Sequence, residues 1–204
     1  DAALAELGVV PDTETRSLLA GHEYDVDFVR GCRRLGVDPV ALYGRRERYA
    51  AQLAIDHLTA GSRTLHDVAA LDRLADHHPL GVVSNNYQDV VRFVVDHHRL
   101  DVFDHVRGRE TGVGGFYDRK PNPHHLLEAM AELDAVDGLY VGDRGPDVLA
   151  ATRAGLDSVF VDRPHNADET LPVEPTLRVG SLAELVDRLH GDATSTSRAR
   201  ADGS

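Results

Sequence analysis

The sequence predicts an α/β fold, a parallel sheet between helices, joined to a small all-helical domain. Three features carry this expectation. Residues 1 to about 60 show helical periodicity and helix caps without a strand pattern. From residue 64 onward, short apolar runs that suit buried strands alternate with helical stretches, the order that builds a parallel sheet. Third, Leu139-Tyr140-Val141-Gly142-Asp143 runs through a polar turn into a helix that Asp147 opens and Gly155 closes, a strand–loop–helix unit.

In chain order, Ala2 to Leu7 forms a helix that ends at Gly8, and Pro11-Asp12-Thr13 opens a second. Asp25 or Asp27 caps a third through Leu35-Gly36. Asp38-Pro39 starts a longer helix carrying Leu42, Tyr43, Tyr49, Leu53 and Ile55, which Gly61 interrupts. The expected division is a helical domain over 1–61, an α/β core over 62–190 and a disordered tail over 191–204. In the core, Leu65 to Ala75 reads as a helix, Leu80 to Val83 as a strand and Gln88 to His98 as a helix. The glycine-rich Gly108 to Arg119 reads as a loop. Pro121-Asn122-Pro123 starts the helix of His124 to Leu133; Leu139 to Val141, Ser158 to Val161 and Thr176 to Val179 are strands, and Ser181 caps a last helix. The tail from Gly191 has nothing to bury.

Composition narrows the function. A net charge of −12 and a pI near 5.3 repel nucleic acid and anionic membrane surfaces, so the expected partners are small molecules. No apolar run approaches the roughly 20 residues that cross a bilayer, and no signal peptide is evident, so the chain reads as cytoplasmic. The 34 acidic residues are mostly Asp, and all but one of the 22 basic residues are Arg, a bias of the kind salt-loving organisms show. Concentrated salt screens the self-repulsion of such a chain. A single cysteine excludes an internal disulfide; Cys32 lies among Gly31, Arg33 and Arg34 but in no nucleophile motif, and reads as structural.

Three motifs carry chemistry. The carboxyl end of a parallel strand faces the ligand crevice, so Asp143 sits where ligands bind and Asp147, four residues on, turns to the same spot. Two converging carboxylates call for a cation, and an all-oxygen site suits Mg²⁺; the alternative is a strand end followed by an ordinary helix cap. Ser84-Asn85-Asn86, at the end of the Leu80 to Val83 strand, offers a hydroxyl and backbone N–H groups that suit phosphate, or else only turn formation. Lys120 is the only lysine in the chain and stands just before a helix, where the dipole disfavours a cation. A compact ammonium kept at this place suits a point charge that reaches a phosphoryl oxygen and a carboxylate together; the alternative is a solvated surface lysine.

Taken in this order, the strand with Ser84-Asn85, then Lys120-Pro121, then Gly142-Asp143 with Asp147, the chain resembles the haloacid dehalogenase superfamily, with the phosphoglycolate-phosphatase-like proteins as the nearest type. The likeness covers residues 64 to 165, and residues 1 to 60 look like the helical cap of one subclass. The resemblance implies a Rossmann-like core in which Ser84 and the Asn85 backbone bind the phosphoryl group, Lys120 offsets charge between phosphate and nucleophile, and Asp143 with Asp147 holds Mg²⁺. It implies a Mg²⁺-dependent phosphohydrolase of a small phosphorylated metabolite.

The family's first strand ends in Asp-x-Asp, the nucleophile and the general acid and base. The only candidate, Tyr24-Asp25-Val26-Asp27, follows Ala20-Gly21-His22-Glu23, which is no apolar strand, and reads better as a helix cap. Because the chain starts at Asp1 and enters cap-like helices directly, the expectation is that a segment carrying that strand is absent. The chain alone is then inactive, and its sheet is interrupted between the strands of Leu80 to Val83 and Leu139 to Val141, with unpaired backbone groups on both edges. Two other readings are a phosphate-binding module without turnover and a metal-independent dehalogenase, against which the paired aspartates argue. The pairs His77-His78, His97-His98 and His124-His125 read as solvated or capping residues, since neighbours on a helix diverge by about 100°.

Overall fold

The computed structural model describes residues 2–61, 65 and 67–190; the tail over 191–204 and, at the expected domain junction, Ser62 lie outside the described residues. Four helices come first: α1 (Ala2–Glu6), α2 (Thr13–Leu19), α3 (Val26–Leu35) and α4 (Pro39–Ala60). There follow α5 (Ala69–Ala75), β1 (Gly81–Tyr87), α6 (Gln88–His97), β2 (His105–Arg109), α7 (Val113–Asp118) and α8 (His124–Glu132). The chain continues with β3 (Leu139–Gly142), α9 (Gly145–Ala154), β4 (Asp157–Val161) and β5 (Leu177–Val179), and residues 182–190 form a closing helix. Contacts gather these elements into two compact units. One holds the N-terminal helices together with Ser84–Arg99 and Arg107–Arg119; the other holds the rest, from α5 onward.

In the first unit, aspartates set the helix starts. Asp12 accepts from Thr15 N at 2.7 Å, Asp25 from Phe28 N at 2.9 Å and Asp38 from Ala41 N at 2.8 Å, each meeting one of the backbone donors a helix start leaves open. Asp25 therefore caps α3, and Asp27 pairs with Arg30 at 3.0 Å on the same helix; neither ends a strand. Gly36, at φ +66°, closes α3 in the left-handed conformation that glycine tolerates. The core is aromatic. Phe28 meets Tyr43 at 5.4 Å and 82°, and Tyr43 meets Phe116 at 5.8 Å and 89°, the edge-to-face geometry rings prefer.

Phe116 comes from a segment the sequence reads as a loop. Gly108 to Arg119 instead holds the end of β2 and all of α7. Its glycines mark tight approaches: a Cβ at Gly115 would sit 1.8 Å from the Glu110 carbonyl oxygen, and one at Gly108 would sit 2.7 Å from Gln88 Cα. Val113 and Phe116, three apart, turn toward the aromatic core, and that burial stabilises a helix its glycines would disfavour.

The second unit carries a three-stranded parallel sheet, β3-β4-β5, in which Leu139 pairs with Asp157 and Gly142 with Phe160, and Val159 to Val161 pair with Leu177 to Val179. Val83, Leu126, Ala129, Ala150 and Ala151 form one core cluster, and Val159, Val161, Val179 and Leu185 another. β1 and β2 form a separate two-stranded sheet, and among the described residues no ladder joins β1 to β3. The Val83 carbonyl accepts from the Tyr140 hydroxyl at 2.9 Å and from Lys120 Nζ at 3.0 Å.

Some boundaries move. β1 runs on to Tyr87, α5 starts at Ala69 rather than Leu65, and α9 starts at Gly145 with Asp147 in its first turn. Ser181 caps the closing helix as expected, accepting from Glu184 N at 3.1 Å. Among the described residues no helix is long and apolar enough to cross a membrane.

Cys32 gives a direct test of the first unit. Arginines flank it in sequence, but it is 0% exposed, and burial pushes its thiol up to about 11, with Arg46 only partly opposing the rise. The neutral thiol is favoured by folding, so its stabilising contribution is whole below the ordinary value near 9 and is lost as pH rises toward 11. At pH 8 we expect iodoacetamide to alkylate the folded chain about 100-fold or more slowly than the chain in denaturant, as thiolate fraction and access dictate. Equal rates would mean that Cys32 is not in the core.

Candidate active site

The site is built first on the turn from β3 into α9. Gly142 ends the strand, and a Cβ there would lie 2.4 Å from the Asp147 Cβ, so glycine is what lets the first turn of α9 close over the strand end. The Arg144 N–H donates to Asp147 Oδ2 at 3.1 Å, which fixes the carboxylate as part of a capping box. Its other oxygen, Oδ1, lies 2.7 Å from Lys120 Nζ. Both groups are nearly buried, with side-chain exposures of 8% for Lys120 and 11% for Asp147.

Lys120 is therefore no surface residue. Its ammonium donates to the Val83 carbonyl and the Tyr140 hydroxyl and pairs with Asp147. Burial, and then the charges of Asp147 and Asp143, raise the Tyr140 hydroxyl well above its usual range. Tyr140 thus stays neutral, donating its proton to Val83 and offering its oxygen to Lys120.

Asp143 has a different setting. It is partly exposed, and its Oδ2 lies 2.8 Å from His165 Nε2. Buried Asn166 holds the Asp143 carbonyl at 2.8 Å and the Val161 carbonyl at 2.9 Å through one amide, tying the turn after β3 to the turn after β4. Glu169 in turn accepts from the Gly145 N–H. The sequence reading missed all three. Their signal was available in the strand-end rule, since Pro164-His165-Asn166 follows the apolar run that ends at Val161.

Ser84 and Asn85 belong to the first unit, on the second half of β1. The Ser84 Oγ accepts from Asn86 N at 3.1 Å, and Asn86 Oδ1 accepts from Tyr87 N at 2.9 Å, so the strand end is locally braced. The Asn85 carbonyl accepts from Arg109 Nε at 3.0 Å. Arg109 is itself gripped in a two-bond ion pair by Glu47 of α4, at 2.6 and 3.1 Å, and Glu47 also accepts from Gly112 N at 2.6 Å. Burial alone would pull Arg109 down, but the Glu47 bonds outweigh it and hold its pKa above the usual value. Neither Glu47 nor Arg109 stands out in the sequence.

The structure corrects the reading of the His124-His125 pair as solvated or capping: His125 is buried, its Nδ1 is bonded to Glu128 at 3.2 Å, and His124, His125 and Glu128 bring one ligand atom each within 4.8 Å of one another.

In the second unit, a parallel sheet whose β3 end carries Asp143 and leads into a buried Lys120–Asp147 pair is the arrangement of an α/β enzyme built on a strand end. The chain belongs to the haloacid dehalogenase-like hydrolases: the model of that family matches residues 47–161, more than half its length. The solved structure of CbbY from Rhodobacter sphaeroides, in complex with phosphate, is similar at TM-score 0.58 and 21% identity, over 90% of this chain and 85% of that one. A protein assigned as a phosphoglycolate phosphatase from Lactobacillus delbrueckii subsp. bulgaricus is similar at TM-score 0.55 and 18% identity, over 92% and 87%. A haloacid dehalogenase-like hydrolase from Streptococcus pneumoniae is similar at TM-score 0.54 and 16% identity, over 92% and 86%. These likenesses establish the fold. No curated protein matches the chain by sequence.

The two aspartates should differ in what they support. Asp147→Ala leaves the Lys120 charge buried without its carboxylate and should cost about 3 to 5 kcal/mol. Asp143→Ala loses only an exposed contact with His165 and should cost about 1 kcal/mol or less. Chemical denaturation of the two variants decides the matter; equal losses would refute the buried pair.

Proposed function

We propose that the protein is a Mg²⁺-dependent phosphohydrolase that removes phosphate from a small phosphorylated metabolite in the cytoplasm, with residues 1–61 as its cap and 62–190 as its core. The observation that carries this reading is the buried Lys120–Asp147 pair closed against Gly142 beside Asp143. It supports a lone ammonium kept for charge placement rather than for solubility. In this reading the Ser84 hydroxyl and the Asn85 backbone hold the phosphoryl oxygens. An aspartate carboxylate attacks phosphorus, the ester P–O bond breaks, and the leaving oxygen takes a proton from the neighbouring acid; water then cleaves the aspartyl-phosphate. Lys120 offsets the charge that builds between carboxylate and phosphoryl group.

The donor set fits Mg²⁺. Asp143 presents a partly exposed carboxylate at a strand end, and Asp147 lies one helical turn on with both oxygens engaged, which suits a ligand that acts through water. When bound, the ion supplies charge to the phosphoryl oxygens. The nucleophile in this proposal lies on a strand that pairs between β1 and β3; the absence of a β1–β3 ladder among the described residues and the helix-capping role of Asp25 support that assignment.

The test is hydrolysis of an aryl phosphate in concentrated KCl by protein that carries such a strand, with Mg²⁺ affinity measured by calorimetry. Asp143→Asn should weaken Mg²⁺ by about tenfold or more and Asp147→Asn by less. Lys120→Arg should lower turnover by roughly 10²-fold, because a planar guanidinium cannot take the place of a point charge between oxygens. Residues 1–204 alone should show no turnover. Turnover by residues 1–204 that Asp25→Asn abolishes would assign the nucleophile to Asp25 and sink the strand proposal.

A further inference from the structure

We propose that Arg109 and Glu47 are positioning residues for the Ser84 hydroxyl, acting through the single peptide plane between Asn85 and Asn86. The inference rests on the phosphate-binding role given to Ser84 above. A peptide is a rigid plane with its C=O and N–H on opposite edges. Here Arg109 Nε donates to one edge, the Asn85 oxygen, at 3.0 Å, and the opposite edge, the Asn86 N–H, donates to Ser84 Oγ at 3.1 Å. Turning that plane would release the Ser84 oxygen. While it is held, the Ser84 oxygen accepts from the backbone, and its own proton is directed elsewhere, toward an anion at the strand end.

The grip on the plane is itself fixed from several sides. The two bonds to Glu47 leave the guanidinium little rotation, and the Tyr87 ring lies 4.3 Å from its centre. Glu47 is 3% exposed and Arg109 9%, so water does not compete for these bonds. The absent side chain of Gly108 allows β2 to approach the Asn86 carbonyl and Gln88 closely, and Gln88 Oε1 accepts from Gly108 N at 2.5 Å. Since Glu47 sits in the middle of the long helix α4 and also accepts from Gly112 N, one carboxylate ties that helix to the backbone that displays Ser84. A pair needed only for stability would have no cause to point its third donor at this carbonyl.

The experiment titrates inorganic phosphate, with Mg²⁺ present, into the full chain by calorimetry. The variants are Ser84→Ala, the double replacement Glu47→Leu with Arg109→Met, and the combination of all three. Exchanging both ion-pair partners for apolar residues avoids a stranded buried charge, so the double variant should melt near the parent. We expect it to lose phosphate affinity by about tenfold or more, as Ser84→Ala does, and the combination to lose less than about twofold beyond Ser84→Ala. Losses that multiply would overturn the inference, because Arg109 would then act without Ser84. Undiminished affinity in the double variant would overturn it as well while leaving the phosphatase reading intact. A parent that binds no phosphate at all would remove both.

Discussion

The second unit depends on one buried cation beside the end of β3. Among the described residues no ladder joins β1 to β3, and unpaired carbonyls in a protein interior are costly. Lys120 and Tyr140 meet the Val83 carbonyl instead, and Asp147 neutralises the ammonium. Each part needs the others. Without Asp147 the buried ammonium would lose its carboxylate; without Gly142 that carboxylate could not reach its place; without Tyr140 the ammonium would lose a hydroxyl acceptor. The same contacts set where α9 begins and so where Asp143, at the tip of β3, is presented.

Charge in this chain is divided between two regimes. The net charge of −12 is spread over exposed carboxylates, and surface pairs such as Arg30–Asp27, Arg178–Asp162 and Arg188–Glu184 are open to solvent. Such pairs contribute little each and are screened by salt. Lys120–Asp147 and Arg109–Glu47 are different, being nearly buried and joined to backbone groups. Salt screens them far less. Added salt therefore damps the surface electrostatics of this chain far more than it weakens either buried pair.

The parts of this arrangement that were legible in the sequence are those written within a few residues. Asp12, Asp25 and Asp38 announce helix starts because a cap bonds three residues ahead, and Gly142-Asp143 marks a strand end because glycine and aspartate follow an apolar run. Lys120 was visible through composition, as a lysine among arginines. What joins distant segments was not visible. Glu47 and Arg109 lie 62 residues apart, and neither a charge on a long helix nor one beside a glycine says that it will be buried. The helix α7 was misread for the same reason: Phe116 earns its conformation from Tyr43, a neighbour no local pattern reveals. Spacing also could not tell the two aspartates apart, since Asp147 has both oxygens engaged and Asp143 stays partly open only in the folded chain.

Each of the two buried pairs grips one carbonyl of β1. Val83 and Asn85, two residues apart, each have a carbonyl held by a buried cation, Lys120 in one case and Arg109 in the other. Each cation is in turn neutralised by a buried carboxylate, Asp147 or Glu47. A hydrogen bond from a charged donor is roughly twice as strong as one between neutral groups, and within a water-poor setting it also fixes direction. Beyond its pairing with β2, the strand is held at these two carbonyls by charged side chains. In the phosphohydrolase reading, the Ser84 hydroxyl stands on backbone that Arg109 holds and would give up little conformational freedom when an anion arrives, an advantage over a loose loop.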